Sequence, residues 1–390
     1  MPAHRYDALS LDALQQRPNA KWTHYGPDVL PLWVAEMDFP VADAVKDAID
    51  AQARSDNLGY GISQGLPGLV EALQDRLDGR YGIRPDTDDL RLLGSTVQGL
   101  YLSAMAFAGP GDEALLLTPL YPPFRAALEN TGRVPVEVPM TDGEDGYAID
   151  FAALEAAVTP ATRMLMLCNP HNPVGRMYRR DELERLAELA LKHNLWVVSD
   201  ELHADLAFTG EHVPIASLGS EIAQRTLTLY GPTKAFNIPG LKISFAYSRN
   251  HAMLERIGYH ARGVAPGPNV LAQAATIGAY TRGGAWFDET LAYLRGNRDH
   301  VVRRVADDIE GVRLHAPEGT YLAWLDFGQA GLGDDPAAVL LEEAKVGLNS
   351  GLSFGAGGEG FARLNFATSR AILDQALDRI ATRLRSGAGR

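Results

Sequence analysis

A chain of 390 residues with 46% hydrophobic, 22% charged and 8% aromatic residues can bury a large core, which excludes a disordered or fibrous protein. Its length calls for two domains or one elaborated one. A formal charge of -13 argues against nucleic-acid binding as the main activity, because that needs a concentrated basic face.

The single cysteine, Cys168, can neither close an internal disulfide nor build a thiolate metal cage, and it suits a reducing cytoplasm. No export signal and no run of about 18 apolar residues is legible, so a cytoplasmic protein without membrane contact is expected.

The first forty residues show little periodicity but contain the compact PLWVAEMDFP, and residues 1–45 are expected to pack with the C-terminal part. From about 42 to 280, helical patterns such as LVEALQDRLDGRYG and ELERLAELALKHN alternate with short apolar runs: EALLL, VPVEV, RMLMLC, LWVVSD and TLTLY. That alternation predicts an α/β domain over 46–282, a mainly parallel sheet flanked by helices. After Gly283 a long helical pattern, WFDETLAYLRGNRDHVVRRVADDI, is followed by the strand-like GVRLH and TYLAWLDF, a further helix and FARLNFA. These predict a smaller α+β domain over 283–390.

Several motif matches fail on context. Gly355 to Gly360 (GAGGEG) fits a dinucleotide fingerprint, but a strand-like segment follows where a helix is needed. Gly61 to Gly65 (GISQG) fits a nucleophile elbow, but a helical segment precedes it where a strand is needed. The histidines show no metal-ligand spacing, so no metal is expected.

The informative residues lie at the ends of the apolar runs. LWVVSD ends in Asp200, and TLTLY runs into Gly231-Pro232-Thr233-Lys234, so a carboxylate and an amine sit at strand ends, where open α/β sheets gather ligands. Taken alone, the two also fit a plain ion pair or solvent contact. The run RMLML leads into Asn169-Pro170-His171-Asn172-Pro173-Val174-Gly175, another strand end rich in turn formers and amides.

The set NPHNPVG, SDELHADL, GPTKAFNIPGLK and RLNFATSR, in that order, resembles the fold-type I pyridoxal-phosphate enzymes, class I/II aminotransferase family, over nearly the whole chain. PLWVAEMDFP, DELH and GLNSGLSFG resemble the cystathionine β-lyase branch, the carbon-sulfur lyases of the maltose-regulator type. The resemblance implies a seven-stranded-type sheet and pyridoxal 5'-phosphate as cofactor.

It also implies roles. Lys234 would bond the cofactor aldehyde and later move the Cα proton, a task for an amine whose charge is suppressed by its surroundings. Asp200 would keep the pyridine nitrogen protonated, Asn172 and His203 would donate to the phenolic oxygen, and Tyr121 would stack on the ring. Thr96 and Val97, opening a helix after Gly94-Ser95, would hold the phosphate together with Thr233 and Lys242. Gly231 and Lys242 depart from the serine and arginine common in the family. Tyr60 would reach the phosphate of a neighbouring subunit, implying a homodimer. Arg363 would clamp the substrate carboxylate, with the backbone of Val34-Ala35 contacting the same group.

The expected function is therefore carbon-sulfur β-elimination on cystathionine or a related cysteine thioether, giving thiol, pyruvate and ammonia. Transamination of an amino acid is the alternative, and a regulatory protein-binding role beside or in place of catalysis is the second. The expected partner is a small-molecule amino acid.

Overall fold

The computed structural model describes residues 4–61 and 65–387. Its centre is a seven-stranded sheet of β2 (Leu90–Leu93), β3 (Glu113–Thr118), β4 (Val134–Pro139), β7 (Thr162–Cys168), β8 (Trp196–Asp200), β9 (Thr226–Tyr230) and β10 (Ser244–Tyr247), in the order β2-β10-β9-β8-β7-β3-β4. β5 (Thr141–Gly143) and β6 (Gly146–Ala148) form a separate hairpin. The pairs from β4 through β9 are parallel, and only β10 runs antiparallel to its neighbours.

The apolar runs are continuous because both faces of the sheet are covered. Ala114, Leu116, Met164, Met166 and Val198 pack on one side with Leu100 and Phe124, while Leu115, Leu117, Leu165, Leu167 and Val197 pack on the other with Leu183 and Leu186. The helix Arg180–Lys192 puts Leu183, Leu186, Ala187 and Ala190 on its sheet face, and Glu182 caps its start by accepting from Arg179 N–H. Leu183 and Leu186 are fully buried, each contributing about 2 kcal/mol.

Beyond Gly283, the helix Gly284–Asp308 leads to a three-stranded antiparallel sheet of β11 (Leu322–Asp326), β14 (Phe361–Asn365) and β13 (Asn349–Ser350), closed by the helix Arg370–Gly387. β1 (Leu30–Pro31) pairs with β12 (Val346–Gly347), and Leu30, Leu32 and Phe39 share a core with Leu322, Leu364 and Leu373.

The structure differs from expectation in short elements. β2 and β10 were not anticipated; at four residues each they are shorter than the average strand and carry little pattern. GVRLH is not a strand, since only Arg313 bridges, to Asp326. Residues 62–64 of GISQG lie outside the described residues.

Candidate functional site

Parallel strands deliver their C-terminal ends to one edge of the sheet, and there a cavity of about 370 Å³ opens. Asp200 closes β8, and its neighbours Cys168 and Leu229 close or nearly close β7 and β9. The cavity is lined by Asp200, Lys234, Tyr121, Asn172, His203, Thr96, Val97, Thr233, Lys242, Arg363 and Ala35, together with Trp33, Val34, Ser95 and Asn349. Every expected site residue except Tyr60 is therefore brought to one place. Tyr60 is fully exposed and borders a separate cavity of about 900 Å³ with Arg91 and Gln273.

Asp200 is 6% exposed, and one of its oxygens accepts the Leu202 N–H at 3.0 Å. Burial drives its carboxyl up to about 7, with the Glu201 charge adding to the rise and Lys234 opposing it. Glu201 points elsewhere, accepting from Ser199 Oγ at 2.9 Å and meeting His212 Nε2 at 2.9 Å.

The plain ion pair left open above does not form: Lys234 Nζ donates instead to the Ala35 carbonyl at 2.7 Å. Burial and the Arg363 charge lower its pKa to about 8, against the pull of Glu36 and Asp200. The loop that presents it is fastened by Asn237, whose backbone is left-handed and whose amide exchanges hydrogen bonds with Met37 and Phe39. A segment over 32–39 thus crosses the cavity and ties the lysine loop to β14. There Asn365 donates to Val34 O at 2.6 Å and Glu36 O at 2.7 Å.

Arg363 is 3% exposed and extends from β14 over the Phe354 ring. Its two terminal nitrogens donate to Asn172 Oδ1 and Trp33 O, both at 2.9 Å, while its Nε is buried without a partner among the described residues. Burial lowers it to about 10. A buried guanidinium with an unused donor and no carboxylate partner is suited to an incoming carboxylate.

His171 joins the loops that carry Tyr121 and Asn172. Its Nε2–H donates to Pro119 O at 2.7 Å and its Nδ1 accepts from Tyr178 Oη at 2.7 Å, while Tyr121 N–H donates to Asn172 O at 3.1 Å. Burial holds this imidazole neutral, at about 4. His203 is likewise held well below the ordinary histidine range by burial and by the Lys234 and Arg363 charges, and its Nδ1 has no partner among the described residues.

The helix Thr96–Phe107 begins at the cavity. Ser95 Oγ accepts the Gln98 N–H at 3.0 Å, which leaves the Thr96 and Val97 N–H groups without a protein partner among the described residues. Gly99 lets this helix lie on β9, since a Cβ there would stand 2.6 Å from Leu229 Cδ2. Gly231 has a similar cause: a Cβ would lie 3.1 Å from Ile243 O and 3.2 Å from Ser244 Cα. Lys242 lines the cavity from a left-handed backbone position.

An amine of lowered basicity, a buried acid, an aromatic ring, an unused donor on Arg363, an unpartnered ring nitrogen on His203, and free amides at a helix N-terminus fit pyridoxal 5'-phosphate. The motifs contain Trp33, Asn349 and Asn365 but give them no role, and Tyr321 has none either. TYLAWLDF was legible only as a strand, although Tyr321 donates to Ala35 O at 3.0 Å, the acceptor that Lys234 uses.

The family model for aminotransferase class I and II matches residues 27–380. Cystathionine beta-lyase PatB of Bacillus subtilis (strain 168) is 35% identical over 390 residues, 96% of this chain and 100% of that protein. Among solved structures, OvoB matches with a TM-score of 0.90 at 35% identity, covering 94% of this chain and 96% of that one. Cystalysin from Treponema denticola, whose structure contains a pyridoxal 5'-phosphate cofactor, gives a TM-score of 0.91 at 27% identity, over 95% and 97% of the two chains. The fold is that of the fold-type I pyridoxal-phosphate enzymes, and the chain belongs to the aminotransferase class I and II family.

Proposed function

We propose that this protein is a pyridoxal-phosphate-dependent carbon-sulfur β-lyase that cleaves L-cystathionine or a related cysteine thioether into a thiol, pyruvate and ammonia. The observation that carries the reading is one cavity holding the Lys234 amine, the buried Asp200 carboxyl and the Arg363 fork. The lyase outcome, as against transamination, is supported by the similarity to PatB over the full length of that protein.

Bound here, pyridoxal phosphate supplies an aldehyde that condenses with amines and a ring that accepts the electron pair left at Cα. Lys234 would be the residue that bonds the aldehyde, and its amine would serve as the base for the substrate Cα proton. Burial and the Arg363 charge already favour the uncharged amine that a base requires. Asp200, costly to ionise alone, would take a protonated ring nitrogen as its charge partner. Asn172 and His203 would serve the phenolic oxygen, and Tyr121 would cover the ring. The Thr96 and Val97 amides, Thr233 and Lys242 would hold the phosphate. Arg363 orients the substrate by its carboxylate, with Ala35 beside it.

The same proposal includes a homodimer in which Tyr60 completes the partner's site; full exposure of Tyr60 and 59% exposure of Leu58 suit a covered face. It also includes a cofactor-binding part over 46–282 and a smaller part over 283–390 with 1–45 laid on it, supported by the β1–β12 pairing. No helix among the described residues is long and apolar enough to cross a membrane. The buried free thiol of Cys168 suits the cytoplasm.

Incubation of the loaded enzyme with L-cystathionine tests the function. Pyruvate, ammonia and a thiol in equal amounts are expected. Glutamate formed from added 2-oxoglutarate, without pyruvate, would overturn the lyase reading in favour of transamination. Neither product would remove both and leave a protein-binding role.

A further inference from the structure

Three distant segments converge on one oxygen. The Ala35 carbonyl, in the segment that crosses the cavity, accepts from Lys234 Nζ at 2.7 Å and from Tyr321 Oη at 3.0 Å. Both of its lone pairs are therefore engaged. Ala35 is 8% exposed and Tyr321 1% exposed. The donors beside it are already committed, since the Asn365 amide is given to Val34 O and Glu36 O and a terminal nitrogen of Arg363 to Trp33 O. The Tyr321 ring also meets the His203 ring in a T-shaped contact, their centroids 5.9 Å apart.

The chemistry of Lys234 requires it to abandon this oxygen. When a lysine amine condenses with an aldehyde, a C=N bond forms, water leaves with the aldehyde oxygen, and the nitrogen keeps at most one proton. A buried carbonyl stripped of its only donor is costly, whereas one that retains a second donor is not. We propose that Tyr321 is a positioning residue that keeps the Ala35 carbonyl satisfied when Lys234 leaves it, so that the lysine can be surrendered to the cofactor aldehyde and recovered afterwards. This rests on the pyridoxal-phosphate reading above. Without the phenol, the lysine would be the carbonyl's sole partner and bonding the aldehyde would orphan it.

The test compares two ligands on apoenzyme by equilibrium titration. Pyridoxal 5'-phosphate must bond Lys234, whereas pyridoxamine 5'-phosphate, with an amine in place of the aldehyde, leaves the lysine on its carbonyl. Tyr321→Phe removes only the hydroxyl. The expected result is an affinity for pyridoxal phosphate weaker on the order of tenfold, with a smaller borohydride-trapped fraction at subsaturating ligand and an unchanged affinity for the pyridoxamine form. In a Lys234→Met background the lysine is no longer at issue, and the same phenylalanine substitution is expected to alter neither affinity. Equal weakening for both ligands would show a merely structural tyrosine and overturn the proposal, as would no weakening for either. If the wild-type protein is not trapped by borohydride at all, the cofactor reading falls as well, a distinct result.

Discussion

Replacing Asp200 by asparagine should move activity and apoprotein stability in opposite directions. The substitution keeps shape and preserves an acceptor for the Leu202 N–H, now at 3.0 Å, while removing the charge. In the folded apoprotein this carboxyl holds its proton up to about 7, whereas in the unfolded chain it does so only to about 4. Because the folded state binds the proton more tightly, stability is complete below about pH 4 and is lost as pH rises toward about 7. At 1.36 kcal/mol per pH unit, the deficit above that range is about 4 kcal/mol.

Asparagine carries no such deficit. The apo Asp200→Asn protein should therefore melt higher than the parent at pH 8 and alike at pH 4. Catalysis should suffer, because the ring nitrogen loses a buried charge partner worth about 3 to 5 kcal/mol, which is roughly 10² to 10⁴ in rate. Coupled pyruvate detection on the loaded enzymes and melting of the apoproteins at the two pH values measure both effects. Turnover within tenfold of the parent, or an apoprotein less stable at pH 8, would refute the reasoning.

Other expectations follow from the same geometry. Arg363→Lys replaces a fork bonded to Asn172 and Trp33 by a point charge, and KM for cystathionine should rise roughly 10- to 100-fold with kcat changed much less. The rate at which apoenzyme captures pyridoxal phosphate, followed by absorbance, should rise with pH through a midpoint near about 8, where burial places the Lys234 amine, and level off above it; a midpoint near that of free lysine would contradict this. Gly231→Ser restores the residue common in the family but sets a Cβ 3.1 Å from Ile243 O. It should lower stability by about 1 to 3 kcal/mol in denaturant unfolding and not improve cofactor binding.

Much of the site was legible because its residues stand beside strand ends. Asp200, Asn172 and Lys234 each follow an apolar run closely, so locating the run located the residue, and a parallel sheet brings such ends together. Gly231 looked like a departure in sequence; the reason for it is a close approach of β10 that no local pattern encodes. β10 itself, four residues long, passed unnoticed. His171 reads as one turn former among several, yet it pins two loops together through Pro119 and Tyr178.

The chemistry of the protein is written in its order of residue types: an amine, an acid, an aromatic and an arginine at motif positions, with apolar runs that require cover on both faces. What only the tertiary structure decided is where the Lys234 amine rests and what competes for its acceptor. That acceptor belongs to Ala35, 199 residues away, and is shared with Tyr321, 286 residues from Ala35. A hydrogen bond between groups so far apart depends on how whole segments pack, and a backbone carbonyl has no side-chain identity through which a sequence could announce it.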